Sequence, residues 1–183
     1  MLTFVLLLVL SASAPEKVAR SQLIAWVLHI LELIVGIFGV GVGISRLPDA
    51  TSALAVVTPT AVGLVGLLAF FRHFFFHESD AKRLGWGSGR PEFQYEVGFA
   101  NLAFALMSFL AYFGGWPVGA RVVVVLGFGL YLFQAALLHT WQSVRGRGGL
   151  RRFLQSALPA LVFSLCLIYL AISGMIAAGL TPY

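Results

Sequence analysis

Few residues in this chain could do chemistry, and they stand in small groups. His29 and Glu32 are three positions apart, a spacing that puts both on one helix face within reach of each other. His73 and His77 are four apart, which on a helix lets two imidazoles approach one metal ion. Glu96 and Asn101 follow in the next apolar stretch, and Gln134 and His139 in the one after it. Imidazoles, carboxylates and carboxamides on facing helices can hold a metal or haem, relay protons, or tie helices together.

The elements that carry these residues are built for lipid. Of 183 residues, 60% are hydrophobic and 10% charged, whereas a soluble domain carries roughly 25% charge. Spans of about 20 apolar residues cross a bilayer as helices. Five stretches meet that length, near 22–44, 53–75, 95–114, 122–141 and 153–178. The fold class is therefore all-α, one transmembrane helical bundle covering 1–183. The turns between spans contain Arg46-Leu47-Pro48-Asp49, a charged stretch from Phe76 to Gln94, Gly114-Gly115-Trp116-Pro117 and Arg145–Gly149.

Ten of the twelve Lys and Arg residues fall at one end if the N-terminus is cytoplasmic, leaving only Arg46 and Arg121 outside. The positive-inside rule then sets the N-terminus in the cytoplasm and the C-terminus outside, in a bacterial inner membrane. The net charge of +5 comes from these short loops, so no nucleic-acid partner is expected. Leu2–Leu10 followed by Ser11-Ala12-Ser13-Ala14 looks like a signal peptide but lacks its basic start. Cleavage there would also invert the charge bias. Residues 1–21 are therefore expected to form an interfacial segment, too short in its apolar part to span.

With that orientation, His29, Glu32, His73, His77, Glu96, Asn101, Gln134 and His139 all fall in the cytoplasmic half. The outer half has Thr58 and Pro59 as its main irregularity. Glu32, roughly 15 Å into its span at 1.5 Å per residue, must be protonated, paired or facing a wet cavity. Three readings are open. The histidines anchor helices at the headgroups beside Trp86 and Trp141, while His29 pairs with Glu32 and Glu96 with an Arg or His. Alternatively, His73, His77 and His139 bind a metal or haem. As a third reading, the cluster is a proton or small-solute site. No Glu-x-x-His repeat, P-loop, His-Glu-x-x-His or Gly-x-Ser-x-Gly motif is present. Gly85–Gly89 reads as a turn, and the single cysteine, Cys166, as a small buried hydrophobe. Gly36, Gly39 and Gly43 form a small-residue face that lets helices approach closely. It serves packing within the bundle, or else self-association.

The stretch Lys82-Arg83-Leu84-Gly85-Trp86, then Pro91-Glu92-Phe93-Gln94-Tyr95-Glu96-Val97-Gly98-Phe99-Ala100-Asn101-Leu102, resembles a family of small polytopic bacterial and archaeal membrane proteins of unknown function. That family carries a Gly-Trp, a gap, and a Pro-Phe-Gln-Tyr-Glu-Val-Gly-Phe-Ala-Asn-Leu run. Glu92 is an addition here, Leu138 replaces a glycine before the matched His139, and the family's Asn-x-x-Pro-Gly-Asn loop is absent from Arg145–Arg152. The resemblance implies a polytopic bundle, marks Gln94, Glu96, Asn101 and His139 as matched positions, and implies no activity. The expected function is that of a non-enzymatic structural or accessory subunit of a larger membrane complex, embedded among lipid and other subunits. The alternative is a metal- or haem-binding redox protein, or a small-solute or proton transporter.

Overall fold

The computed structural model describes residues 14–84, 91–145 and 149–180. Residues 1–13, with Leu2–Leu10, residues 85–90, with Trp86 and the Gly85–Gly89 stretch expected to turn, residues 146–148 and 181–183 lie outside them. Among the described residues all regular structure is helical, joined by short turns and without a strand. The helices are α1 (Ala14–Arg46), α2 (Ala50–Phe75), α3 (His77–Leu84), α4 (Pro91–Phe113), α5 (Val118–Val144) and α6 (Phe153–Ala177), the last preceded by the helical turn Gly149–Arg152. Five of them, all except α3, are long and apolar enough to cross a membrane. They coincide with the five apolar stretches of the sequence and extend past most of their ends, because polar turns at a helix end cost nothing once they reach water.

Successive long helices run in opposite directions. The starts of α1, α4 and α6 therefore gather with the ends of α2 and α5 at one end of the bundle, here termed the Arg72 end. The hydrophobic core lies toward the other end. There Leu54, Val57, Ala61 and Val62 of α2, Ala111 of α4, Val122, Val125 and Phe128 of α5, and Leu167, Leu170 and Ala171 of α6 are buried together.

Glycines on α1 bring that core together. A Cβ on Gly39 would sit 2.9 Å from the backbone nitrogen of Ala61, and one on Gly43 would run into Val57 and then Leu170. Gly36 receives the ring of Phe163. The small-residue face of α1 is thus occupied by α2 and α6 of the same chain. In lipid, where apolar side chains gain little by leaving their solvent, such close backbone approach is the main source of packing energy.

The irregularity at Thr58 and Pro59 is a π-helical stretch, Thr58–Leu64, inside α2. Proline lacks the N–H that would close the ladder and its ring crowds the carbonyl four residues back, so the turn widens. Ser108 of α4 donates to the Thr58 carbonyl, and Thr60 donates to the Val56 carbonyl at 2.6 Å. A second π stretch, Phe153–Ala157, opens α6 just ahead of Pro159.

The charged stretch after α2 is more than a loop. The chain bends at Phe76 (φ −120°, ψ 28°) and forms α3, which folds back against α1. Ser79, Asp80 and Ala81 are buried there, and the Ser79 and Ser21 hydroxyls lie 2.8 Å apart.

Candidate functional site

At the Arg72 end, α1, α2, α3 and α4 converge on one buried guanidinium. Arg72 donates through Nε to one oxygen of Glu32 at 2.8 Å and through Nη2 to the other at 2.9 Å. This is the two-pronged carboxylate geometry that a rigid guanidinium fork favours. Its third nitrogen, Nη1, donates to Asp80. The second oxygen of Asp80 lies 3.0 Å from Nδ1 of His73, which is also 2.7 Å from Oε1 of Gln94. Glu32, Arg72, His73, Asp80 and Gln94 are all buried. An isolated ion at this depth would cost several kcal/mol, so it persists only with partners on every side.

His29 turns Nδ1 toward Glu32 at 3.6 Å, too far for a hydrogen bond. The expected His29–Glu32 pair is therefore secondary, because Arg72 takes both carboxylate oxygens. The four-residue spacing of His73 and His77 does not converge on a shared point either, since the bend at Phe76 ends the helix between them. His77 sets Nδ1 3.2 Å from the Phe74 carbonyl and packs edge-on to Tyr95. Among the described residues no three His, Cys, Asp or Glu side chains are arranged to hold a metal ion.

Above this cluster lies a cavity of about 870 Å³ between α1, α2, α4, α5 and α6. Its walls are mostly apolar, from Val40, Val65, Ala69, Phe128, Leu132 and Phe163. Polar groups reach it at one end. His29, Glu32, Arg72 and His73 come from α1 and α2, Asn101 from α4, Tyr131, Gln134 and His139 from α5, and Gln155 and Ser156 from the π stretch of α6. Asn101 donates to the Val97 carbonyl at 2.8 Å and to the Tyr131 hydroxyl at 3.2 Å. Tyr131 in turn stacks on Phe104 and Phe128. Ile37 is 71% exposed and Val162 52%, so the rim between α1 and α6 lies on the outer surface of the bundle.

Six of the eight residues singled out by sequence line this cavity: His29, Glu32, His73, Asn101, Gln134 and His139. His77 and Glu96 do not, and Glu96 is exposed with no ion-pair partner among the described residues. Cys166 is half-buried and also lines the cavity.

Sequence reasoning missed Arg72, Asp80 and Tyr131. Arg72 reads as one more basic residue near a span's end, and Asp80 as part of a solvated stretch. A signal for Arg72 was present. Phe74, Phe75 and Phe76 follow it, so the apolar span continues beyond the charge, and a cation within a span calls for a carboxylate such as Glu32. Without Arg72 the basic residues still divide nine to two between the ends.

A protein-family model described as a family of unknown function, DUF6790, matches residues 22–173. No curated protein and no solved structure matches the chain.

Proposed function

The chain belongs to the family of unknown function DUF6790, which supplies no activity to inherit, and we propose from the geometry that it is a multi-pass membrane protein that binds a molecule dissolved in the lipid phase. One observation carries this reading. A mostly apolar cavity of about 870 Å³ has polar groups converging at one end and a rim on the outer surface of the bundle. Ligand sites have volumes of roughly 300–1,000 Å³ and the same make-up of apolar walls with a few placed polar groups. A soluble ligand would approach from water; a rim formed by Ile37 and Val162 favours a ligand arriving sideways from lipid. The basic residues favour a cytoplasmic Arg72 end and an inner-membrane location. The accessory-subunit reading has only the exposed apolar faces of the helices in its favour, and lipid covers those equally well.

Gly41 provides the test. It is exposed and lines the cavity at its mouth, and a Cβ built on it meets nothing within 4 Å, so a large side chain there can obstruct the opening without displacing a helix. Native mass spectrometry of the protein in mild detergent is expected to find a bound lipid-phase molecule at about one per chain, lost in Gly41→Trp. Equal occupancy in both proteins, or none in either, overturns the reading.

A further inference from the structure

Two buried carboxylates, Glu32 and Asp80, face the single guanidinium of Arg72. Glu32 alone completes the ion pair. It takes Nε at 2.8 Å and Nη2 at 2.9 Å, and so ties the long helices α1 and α2. A second buried carboxylate adds a desolvation cost that this tie does not require. Asp80 is nonetheless fully buried, with one oxygen on Nη1 of Arg72 and the other 3.0 Å from Nδ1 of His73. What Asp80 adds is a hold on α3.

Little else keeps α3 in place. Ser79, Asp80 and Ala81 are buried, while Glu78 and Lys82 are exposed. Among its described side chains the methyl group of Ala81 is thus the one buried apolar contribution. The other ties are the Ser79 and Ser21 hydroxyls, 2.8 Å apart, and His77 edge-on to Tyr95. A segment held by directed polar bonds, with little apolar burial, belongs to the readily opened part of a fold.

Departure of α3 also strands no ion in the bundle. Asp80 returns to water, where a carboxylate is fully solvated. Arg72 keeps both oxygens of Glu32, and His73 keeps Gln94 at 2.7 Å. Arg72 and His73 line the cavity, and Asp80 touches both from the α3 side. We infer that α3 is a lid over the polar end of the cavity, latched by Asp80 onto Arg72 and His73, and that it opens this end to water while the long helices stay packed. The cavity then has two approaches, one from lipid at the rim and one from water beneath α3. The inference needs the cavity but not the occupant proposed above.

The chain's single cysteine reports on the lid. Cys166 lines the cavity roughly 20 Å along α6 from Phe153, at 1.5 Å per residue. A charged reagent that cannot enter lipid has to reach it from the water side. The full chain in lipid nanodiscs is treated with a sulfonated maleimide, and hydrogen exchange of α3 is followed by mass spectrometry. In Asp80→Ala, both Cys166 labelling and exchange over Ser79–Lys82 are expected to rise by about tenfold or more. Asp80→Asn keeps the shape of the side chain and should move both the same way by a smaller factor. Cross-linking Ser21→Cys to Ser79→Cys in the Asp80→Asn protein should return Cys166 labelling to within about twofold of wild type. Gly39→Ala, which loosens the far end of the bundle, should also leave it within about twofold, and this separates a lid from general destabilisation. Faster exchange of α3 with unchanged Cys166 labelling overturns the lid. Unchanged exchange in both Asp80 variants overturns the latch, and labelling that stays fast in the cross-linked protein overturns both.

Discussion

The two ends of the bundle are held together by different physics. At the core end, Leu54, Val57, Val125, Phe128 and Leu170 are buried without charge among them, and Gly39 and Gly43 bring α1 against α2 and α6. At the Arg72 end, ion pairs tie α1, α2 and α3 together, and a cavity of about 870 Å³ separates the walls. Close packing needs every side chain in place and leaves no space. A buried guanidinium fixes three helices through a few directed bonds, so the surrounding volume can stay open. That is why the cavity sits beside the charges and not within the core. The proximity of the π stretch Phe153–Ala157 to this open end fits the same contrast, since it turns Gln155 and Ser156 toward the cavity.

The comparison breaks most sharply at Arg72. Arg72→Met is expected to destabilise the protein by about 3–5 kcal/mol, because it leaves two buried carboxylates without a cation. Adding Glu32→Gln and Asp80→Asn should recover most of that loss, as measured by denaturant unfolding in detergent. Arg72→Met within 1 kcal/mol of wild type would show that the ion pairs do not hold this end.

Next in size is the close approach at the other end. Gly39→Ala is expected to cost about 1–3 kcal/mol, since the new methyl group meets the Ala61 backbone, which cannot swing aside. Gly41→Ala, only two residues on but facing open space, should gain up to about 1 kcal/mol from helix propensity. Equal effects at the two positions would contradict the division of α1 into a packed face and a cavity face.

Ser108→Ala should cost about 1 kcal/mol by removing the donor to the Thr58 carbonyl at the widened turn. The smallest effects are expected at Glu96→Gln and His77→Ala, within about 0.5 kcal/mol, since neither group joins the buried cluster. A tenfold loss of the bound lipid-phase molecule in either would extend the site beyond the cavity.

Much of the candidate site was legible residue by residue. His29, Glu32, His73, Asn101, Gln134 and His139 stand out because a polar group inside an apolar run must have a reason to be there, and all six face one cavity. The partners were not legible. Glu32 has His29 three residues away in sequence, yet it binds an arginine forty positions later. Asp80 sits in a stretch whose composition matches a solvated loop, and only the bend at Phe76 and the return of α3 against α1 bury it. His73 and His77 share a helix face by spacing alone, and that same bend separates them.

The sequence by itself determined the five apolar helices and the end at which polar groups gather. Helix formation in lipid is a local obligation, since each backbone N–H and C=O must be satisfied within its own segment. Tertiary structure decided which charge meets which, and where space is left open. Those outcomes depend on helix rotation and on chain returns such as α3, which bring together groups far apart in the chain. Arg72 is the clearest case. Read along the chain it is one more basic residue near a span's end. In the folded bundle it is the cation that holds Glu32 and Asp80 beside the cavity.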